Sequence, residues 1–185
     1  NADIRVLSNV KLGEGYFPRF ADAETVTYLN AENASYVTTP ADDNATLRVD
    51  NENLELNLYR NGEKVVLKPH GDANYIWASL SPDQTKICYY AGDRGCFVCD
   101  LAGNNNQFIS KQCTAAQWYD NNTLVSMHTE DDGYNFTSSV VEAFTLDGKR
   151  QTLTDKSLMA SFPYVVDGKI VFTTMSGVAY MMTVK

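Results

Sequence analysis

The stretch SLSPDQTKICYY, residues 79–90, decides the fold, because a Ser-Pro-Asp turn signal in it is followed at once by an apolar run. Proline favours a turn because its φ angle is fixed, and aspartate favours one because its side chain bonds the backbone two residues on. The run from Ile87 to Tyr90 contains β-branched and aromatic residues, which is typical of a strand. The stretch therefore predicts a tight turn between two β-strands.

This arrangement recurs along the chain. Each copy has an apolar or aromatic strand, a turn with aspartate and a second apolar strand, as in YFPRFADAETVTYLN (16–30), YVTTPADDNATLRVDN (36–51), CTAAQWYDNNTLVSMH (113–128) and ASFPYVVDGKIVFTTM (160–175). A strong apolar residue follows the turn aspartate by three or four positions in every copy, the aspartates being Asp22, Asp43, Asp83, Asp120 and Asp167. The chain therefore contains a repeated β-hairpin.

Further strands follow most of these hairpins. A third strand is predicted at 54–62, 95–103, 139–148 and 177–185, and a fourth at 63–70, 105–112 and 149–156. From Asp43 onward the turn aspartates are 40, 37 and 47 residues apart, whereas the first interval is 21. Units of about 40 residues with four short strands are typical of β-propeller blades.

The two ends of the chain complement each other. The last copy lacks a fourth strand, and residues 3–10 resemble a fourth strand without a third before it. Pairing 3–10 with 177–185 would close a ring and remove its exposed sheet edges. We therefore predict an all-β fold with residues 1–185 as a single β-propeller domain. The short first interval favours about five blades with a reduced first blade, and the alternative is four blades with 31–50 as an insertion.

The copies at 16–30 and 75–90 resemble the inner hairpin of TolB-like propellers, whose PD40 or WD40-like repeat reads roughly W-S-P-D-G before a short apolar strand. Residues 79–87, SLSPDQTKI, keep the Ser-Pro-Asp, and 162–171, FPYVVDGKIV, keep Pro, Asp and Gly. The resemblance spans the whole chain and implies a bacterial scaffold, periplasmic or secreted, that presents loops to another protein. The adjoining TolB domain and the peptidase hydrolase domain have no counterpart here, so neither function transfers by resemblance.

Charge and hydropathy narrow the classes of partner. The net charge is −8, which argues against nucleic acid because phosphate binding needs a basic surface. No apolar run reaches the length of about 18 residues that a membrane-spanning helix needs. We therefore expect no membrane insertion, and we expect a monomer.

Catalytic motifs are sparse. The pentapeptide G-x-S-x-G of serine hydrolases does not occur, and His70 and His128 are the only histidines. A propeller glycosidase or lyase stays open as an alternative function, with Asp72, Asp131 and Asp132 as its acidic residues. A third alternative is an accessory propeller of a longer peptidase-like enzyme. We expect no cofactor and no catalytic set.

The metal-binding patterns are weak. Residues 129–135, TEDDGYN, contain oxygen ligands suited to calcium but lack the spacing of an EF-hand loop. Cys96 and Cys99 resemble half a zinc site, yet a strand would point their thiols to opposite faces. If residues 91–95 form a hairpin turn, Cys88 and Cys99 lie roughly opposite each other, so a disulfide is permitted in an oxidising compartment. We expect no metal site.

The leading interpretation is a non-enzymatic propeller that binds a protein or peptide through loops on one face. Half of the aromatic residues on inner strands should pack between blades, and the rest could line a binding rim. The residues predicted for this face are Arg19, Tyr36, Asp72, Tyr75, Trp77, Trp118, Asp131, Asp132 and Tyr164.

Overall fold

The computed structural model describes residues 16–20, 26–29, 47–166 and 168–184, with the backbone alone for 16–20, 26–29 and 166. These residues are organised entirely as antiparallel sheets with two short 3₁₀ turns, Glu52–Leu54 and Lys156–Leu158. The all-β prediction is confirmed. The described residues contain no helix with the length and apolar character needed to cross a membrane.

The first two sheets are small. Sheet I pairs β1 (Tyr16–Phe20) with β2 (Val26–Leu29), and sheet II contains β3 (Leu47–Asp50), β4 (Leu56–Arg60) and β5 (Glu63–Leu67). Asn61 and Gly62 connect β4 to β5, with φ angles of 49° and 83°. Two central residues with positive φ are the requirement of a tight type I′ hairpin, which an Asn-Gly pair meets readily.

Sheets III, IV and V follow in chain order. Sheet III contains β6 (Tyr75–Leu80), β7 (Lys86–Ala91), β8 (Gly95–Asp100) and β9 (Gln107–Ser110). Sheet IV contains β10 (Thr114–Trp118), β11 (Thr123–Asp131), β12 (Phe136–Thr145) and β13 (Arg150–Thr152). Sheet V contains β14 (Ala160–Val166), β15 (Lys169–Thr174) and β16 (Ala179–Thr183). Each strand pairs with its neighbour in sequence, so every connection within a sheet is local.

The hydrophobic core consists of three clusters, each between two successive sheets. Leu56 and Leu58 of sheet II pack with Tyr75, Ile87 and Tyr89 of sheet III. The other face of sheet III packs on sheet IV through Cys88, Val98, Trp118 and Leu124, among others. Sheet IV in turn packs on sheet V through Val125, Val141, Ile170 and Phe172. The inner strands of sheet III are therefore buried on both faces, which explains the nearly continuous apolar runs of β7 and β8.

Successive sheets meet through equivalent strands. β3 contacts β6, β7 contacts β10, and β11 contacts β14, so the second hairpin strand of sheets III and IV lies against the first strand of the next sheet. β1 of sheet I contacts β14 of sheet V, which brings the first sheet in sequence to the last one.

Four strands carry the same irregularity. The register shifts by one residue between Tyr16 and Arg19 in β1, between Ile76 and Ser79 in β6, between Thr114 and Gln117 in β10, and between Ser161 and Tyr164 in β14. Each shift places two residues opposite one on the partner strand, which is a β-bulge that bends the strand. The bulge recurs at the start of the first strand in sheets I, III, IV and V.

The predicted strands at 54–62, 63–70, 95–103, 105–112, 149–156 and 177–185 contain β4, β5, β8, β9, β13 and β16, respectively. The prediction of 139–148 was wrong at its start, since β12 begins at Phe136. Residues 3–10, predicted to pair with the last strand, lie outside the described residues. The closed ring and the number of blades therefore stay predictions, and sheet V has three strands in the described part of the chain.

Candidate functional site

The sheets have two distinct ends. At the turn end, the hairpin turns between β6 and β7 and between β10 and β11 contact each other, since the Asp83 N–H donates to Oδ1 of Asn121 over 2.9 Å. The hydroxyl of Tyr119 reaches the carbonyl of Gly168 in the next turn at 3.4 Å. The opposite end, where β6, β10 and β14 begin, is called here the strand-start end. The bulges lie near it.

Side chains of the SLSPDQTKI stretch, residues 79–87, form the hydrogen bonds that hold the turn between β6 and β7. The carboxylate of Asp83 accepts hydrogen bonds from the hydroxyls of Ser81 (2.6 Å) and Thr85 (2.8 Å) and from the backbone N–H of Thr85 (3.1 Å). These bonds lower the pKa of Asp83 to about 2. Ser81 is buried and also accepts from the N–H of Lys86 over 3.0 Å. The Ser-Pro-Asp motif therefore has a structural role in the turn.

At the strand-start end, the bulge of β6 displays an aromatic side chain. Trp77 has a φ of 55° and is 37% exposed, and its ring meets that of Tyr90 edge to face at 5.4 Å. A left-handed conformation costs a residue other than glycine about 1 kcal/mol or more. The adjacent N–H of Ala78 donates to Oδ1 of Asn51 over 2.6 Å, which ties the bulge to sheet II. Trp77 is therefore held outward by a fixed backbone.

The longest hairpin, β11–β12, projects beyond this end. Met127 pairs with Thr114 at the start of β10, and β11 continues from there to Asp131. At about 3.3 Å per residue, these last four residues extend about 13 Å past the start of β10. The projecting part of the hairpin is held at its side by Glu130, whose carboxylate accepts hydrogen bonds from the Ser138 hydroxyl over 2.6 Å and from the Lys156 ammonium over 3.0 Å.

The tip of this hairpin, residues 131–136, is held by its own side chains. Oδ1 of Asp131 accepts from the N–H of Gly133 at 2.9 Å. Oδ1 of Asp132 accepts from the N–H groups of Asn135 (2.8 Å) and Tyr134 (2.9 Å), which lower its pKa. The two aspartates thus shape the loop. No group of three or more His, Cys, Asp or Glu side chains in the described residues is arranged to hold a metal ion.

The side chains that this loop presents are aromatic. Tyr134 is 96% exposed and Phe136 is 52% exposed. Aromatic residues supply much contact area for the loss of few rotamers, and a loop fixed in advance reduces the entropy lost on binding. Trp77 on sheet III and Tyr134 and Phe136 on the β11–β12 hairpin of sheet IV are the exposed aromatic residues described at the strand-start end, and we call these three the aromatic face.

The residues predicted for a binding face lie in different environments. Tyr75 and Trp118 are buried in the core, where the Trp118 indole N–H donates to the carbonyl of Ser79 over 3.2 Å. Tyr164 is half-buried in β14. Asp72 is exposed and paired with Lys68 at 2.9 Å, and Lys68 lowers its pKa. Of the predicted residues, Trp77 belongs to the aromatic face, and Asp131 and Asp132 support it. The side chain of Arg19 and all of Tyr36 lie outside what the structure describes.

Tyr134 and Phe136 were not among the predicted residues. The signal was present in TEDDGYN, where a tyrosine stands inside a polar turn that has no apolar neighbour to cover it. The carboxylates of the same stretch are the chemically more specific pattern, because they suit calcium, and they mask this signal.

The two histidines have structural partners. Nε2 of His70 lies 3.1 Å from the hydroxyl of Tyr89, and burial, followed by the charge of Arg94, lowers the His70 pKa. His128 lies beside the buried Glu142, whose carboxylate forms a two-pronged ion pair with Arg150 at 2.8–3.0 Å. Neither imidazole has a serine or cysteine hydrogen-bond partner among the described residues.

A cavity of about 570 Å³ lies between sheets IV and V. Val125, Ala143, Leu153 and Ile170 contribute apolar surface, while its polar lining includes Arg150. It is separate from the aromatic face, since none of the three residues of that face lines it.

Comparison of the chain with protein-family models gave no match. Comparisons with curated proteins and with solved structures likewise gave none.

Proposed function

We propose that this chain is a β-propeller scaffold of the TolB-like kind, without catalytic activity, that binds a protein or peptide through the strand-start end. The observation that carries the proposal is the aromatic face. Tyr134 stands almost fully exposed at the tip of a braced hairpin whose aspartates are used to shape the loop. Interfaces are enriched in such aromatic residues, and the hydrogen bonds of Asp131 and Asp132 hold the backbone of the loop that presents this one.

The propeller itself is supported by three features of the packing. Sheets II to V pack in chain order through equivalent strands, the same bulge recurs in four strands, and β1 contacts β14. Within the described residues, sheet I has two strands and is separate from sheet II, which supports a reduced first blade in a five-bladed ring. The resemblance of SLSPDQTKI to the TolB-like repeat supports the same family and a periplasmic or secreted location.

The test uses peptides as probes. A phage-displayed library of random peptides is selected on the immobilised protein, and the dissociation constants of the enriched peptides are measured in solution for the parent protein and for Tyr134→Ala, Phe136→Ala and Trp77→Ala. Removing an aromatic that contributes about 1.4 kcal/mol or more weakens binding about tenfold or more.

Phe108→Ala is the matched control, because Phe108 on β9 is 53% exposed and Phe136 is 52% exposed. We expect Phe108→Ala to leave peptide affinity unchanged. Equal affinities for the parent protein and all three variants of the aromatic face would contradict the proposal.

A further inference from the structure

Three of the four cysteines meet in the core between sheets III and IV. Cys88 on β7, Cys96 on β8 and Cys113 just before β10 are at most 1% exposed and belong to one hydrophobic cluster. The sulfur atoms of Cys88 and Cys96 lie 3.6 Å apart. Cys113 packs beside them in the same cluster. We call these three residues the thiol cluster.

The fourth cysteine lies on the other side of sheet III. Cys99 packs in the cluster between sheets II and III, because residues 96 and 99 are separated by an odd number of positions along one strand. It pairs with Ile87, while Cys88 pairs with Val98. Cys99 is therefore turned away from the thiol cluster and serves as an internal control.

We propose that Cys88 and Cys96 are an oxidisable pair that forms a disulfide across β7 and β8. A disulfide has a sulfur–sulfur distance of about 2.0 Å, so the two sulfurs must approach by roughly 1.5 Å. They lie on one face of adjacent strands at diagonal positions, since Cys88 pairs with Val98 and Cys96 pairs with Tyr90. Diagonal neighbours have Cα atoms about 7–8 Å apart, so closing the bond shifts the backbone of the two strands as well as the side chains.

The oxidant is a small-molecule disulfide such as oxidised glutathione. The thiolate of Cys88 attacks one glutathione sulfur, forming a mixed disulfide and releasing one glutathione. The thiolate of Cys96 then attacks the Cys88 sulfur and releases the second glutathione. The protein loses two protons and two electrons, and the oxidant is reduced to two thiols.

Burial determines when this reaction occurs. Thiol–disulfide exchange needs a thiolate, and the oxidised glutathione must be able to reach the sulfur atom of that thiolate. In the folded protein both sulfurs are enclosed in the core, where Cys88 is 0% and Cys96 is 1% exposed. The disulfide therefore forms while the chain folds, and the folded reduced protein resists oxidation.

Peptide mapping tests the pairing directly. The reduced, unfolded protein is refolded with a mixture of reduced and oxidised glutathione, its free thiols are alkylated under denaturing conditions, and it is digested with trypsin. Cleavage after Lys86, Arg94, Lys111 and Lys149 puts Cys88 in peptide 87–94, Cys96 and Cys99 in peptide 95–111, and Cys113 in peptide 112–149. We expect 87–94 linked to 95–111, with fragmentation placing the bond on Cys96 and alkyl groups on Cys99 and Cys113.

Two variants complete the test. Cys99→Ser is expected to keep the link and Cys96→Ser to lose it. In the parent protein and Cys99→Ser, adding reductant lowers the unfolding midpoint by roughly 5 °C, and it leaves Cys96→Ser unchanged. The mapping of the parent protein stands even where a variant fails to fold. Alkylation of all four cysteines, or a bond to Cys99 or Cys113, overturns the proposal.

Discussion

Replacing Arg150 by alanine is expected to destabilise the fold by leaving a buried carboxylate without its counter-charge. The side chain of Glu142 is 3% exposed, and Arg150 binds both of its oxygens over 2.8–3.0 Å. The groups that remain beside it are the hydroxyl of Thr152, which donates over 3.0 Å, and Nδ1 of His128, at 3.5 Å. Arg150→Ala therefore removes the charged partner and keeps the buried charge.

The size of the effect follows from burial. Removing one partner of a fully buried ion pair costs about 3–5 kcal/mol. The Arg150 side chain is 41% exposed, so water replaces part of what it supplies, and we expect a loss of about 2–3 kcal/mol in the free energy of unfolding. Glu142→Gln removes the charge but keeps the shape, so we expect a loss of about 1–2 kcal/mol. The double variant should lose less than the sum of the two, because the residues interact directly.

The assay is equilibrium unfolding in urea, followed by tryptophan fluorescence. Lys149→Ala is the matched control, since the neighbouring Lys149 is 80% exposed and its pairing with Asp147 at 3.1 Å is on the surface. We expect it to change the free energy of unfolding by less than about 0.5 kcal/mol. If Arg150→Ala costs no more than Lys149→Ala, the buried ion pair does not stabilise the sheet as we argue.

Two further predictions concern backbone and turn. Gly95→Ala should destabilise the protein by more than Gly62→Ala, as measured by thermal unfolding. Both glycines have positive φ. A Cβ at Gly95 would lie 2.8 Å from the carbonyl oxygen of Ser110, whereas a Cβ at Gly62 would meet nothing within 4 Å. Equal losses of thermal stability in the two variants would show that the φ angle alone matters. The low pKa of Asp83, caused first by the Ser81 hydroxyl and then by Thr85, adds stability that is present above its ordinary value of 3.8 and is lost as pH falls towards about 2. Asp83→Asn should therefore lower the unfolding midpoint near neutral pH, and its deficit relative to the parent protein should shrink across that acidic interval; a deficit that stays constant would contradict this assignment.

The strands and their turns were predictable because their signals are local. Asn61-Gly62 meets the φ requirement of a two-residue hairpin, and Asp83 bonds the two residues that flank it at close range. Such turn preferences are set by a few neighbouring residues, so they can be predicted without knowledge of the tertiary structure.

Register was harder to predict, and the cysteines show why. Cys88 and Cys99 were expected to be roughly opposite, whereas Cys88 faces Val98 and Cys99 faces Ile87. The three-residue turn between Ala91 and Gly95 sets this pairing. A shift of one residue transfers a side chain to the other face of the sheet, so a small error in turn length changes which core each thiol enters.

The exposure of Trp77 depends on a β-bulge that cannot be recognised from the sequence. Strand alternation would put Tyr75 and Trp77 on the same face, yet Tyr75 is 2% exposed and Trp77 is 37% exposed. The bulge between Ile76 and Ser79 interrupts the alternation at Trp77. The length of the β11–β12 hairpin could not be predicted either, because the extension of β11 beyond Met127 depends on its pairing with β12.

The recurring bulge also bears on how such a chain can diversify. Each extra residue is absorbed inside one strand pair, so the curvature of that strand is specified by its own unit and is independent of the connections that precede and follow it. Loops between units can therefore lengthen, shorten or change composition over evolution without altering the angle at which the next unit begins. A protein engineer who grafts a foreign recognition loop onto the connection between β11 and β12 should find the neighbouring units unmoved.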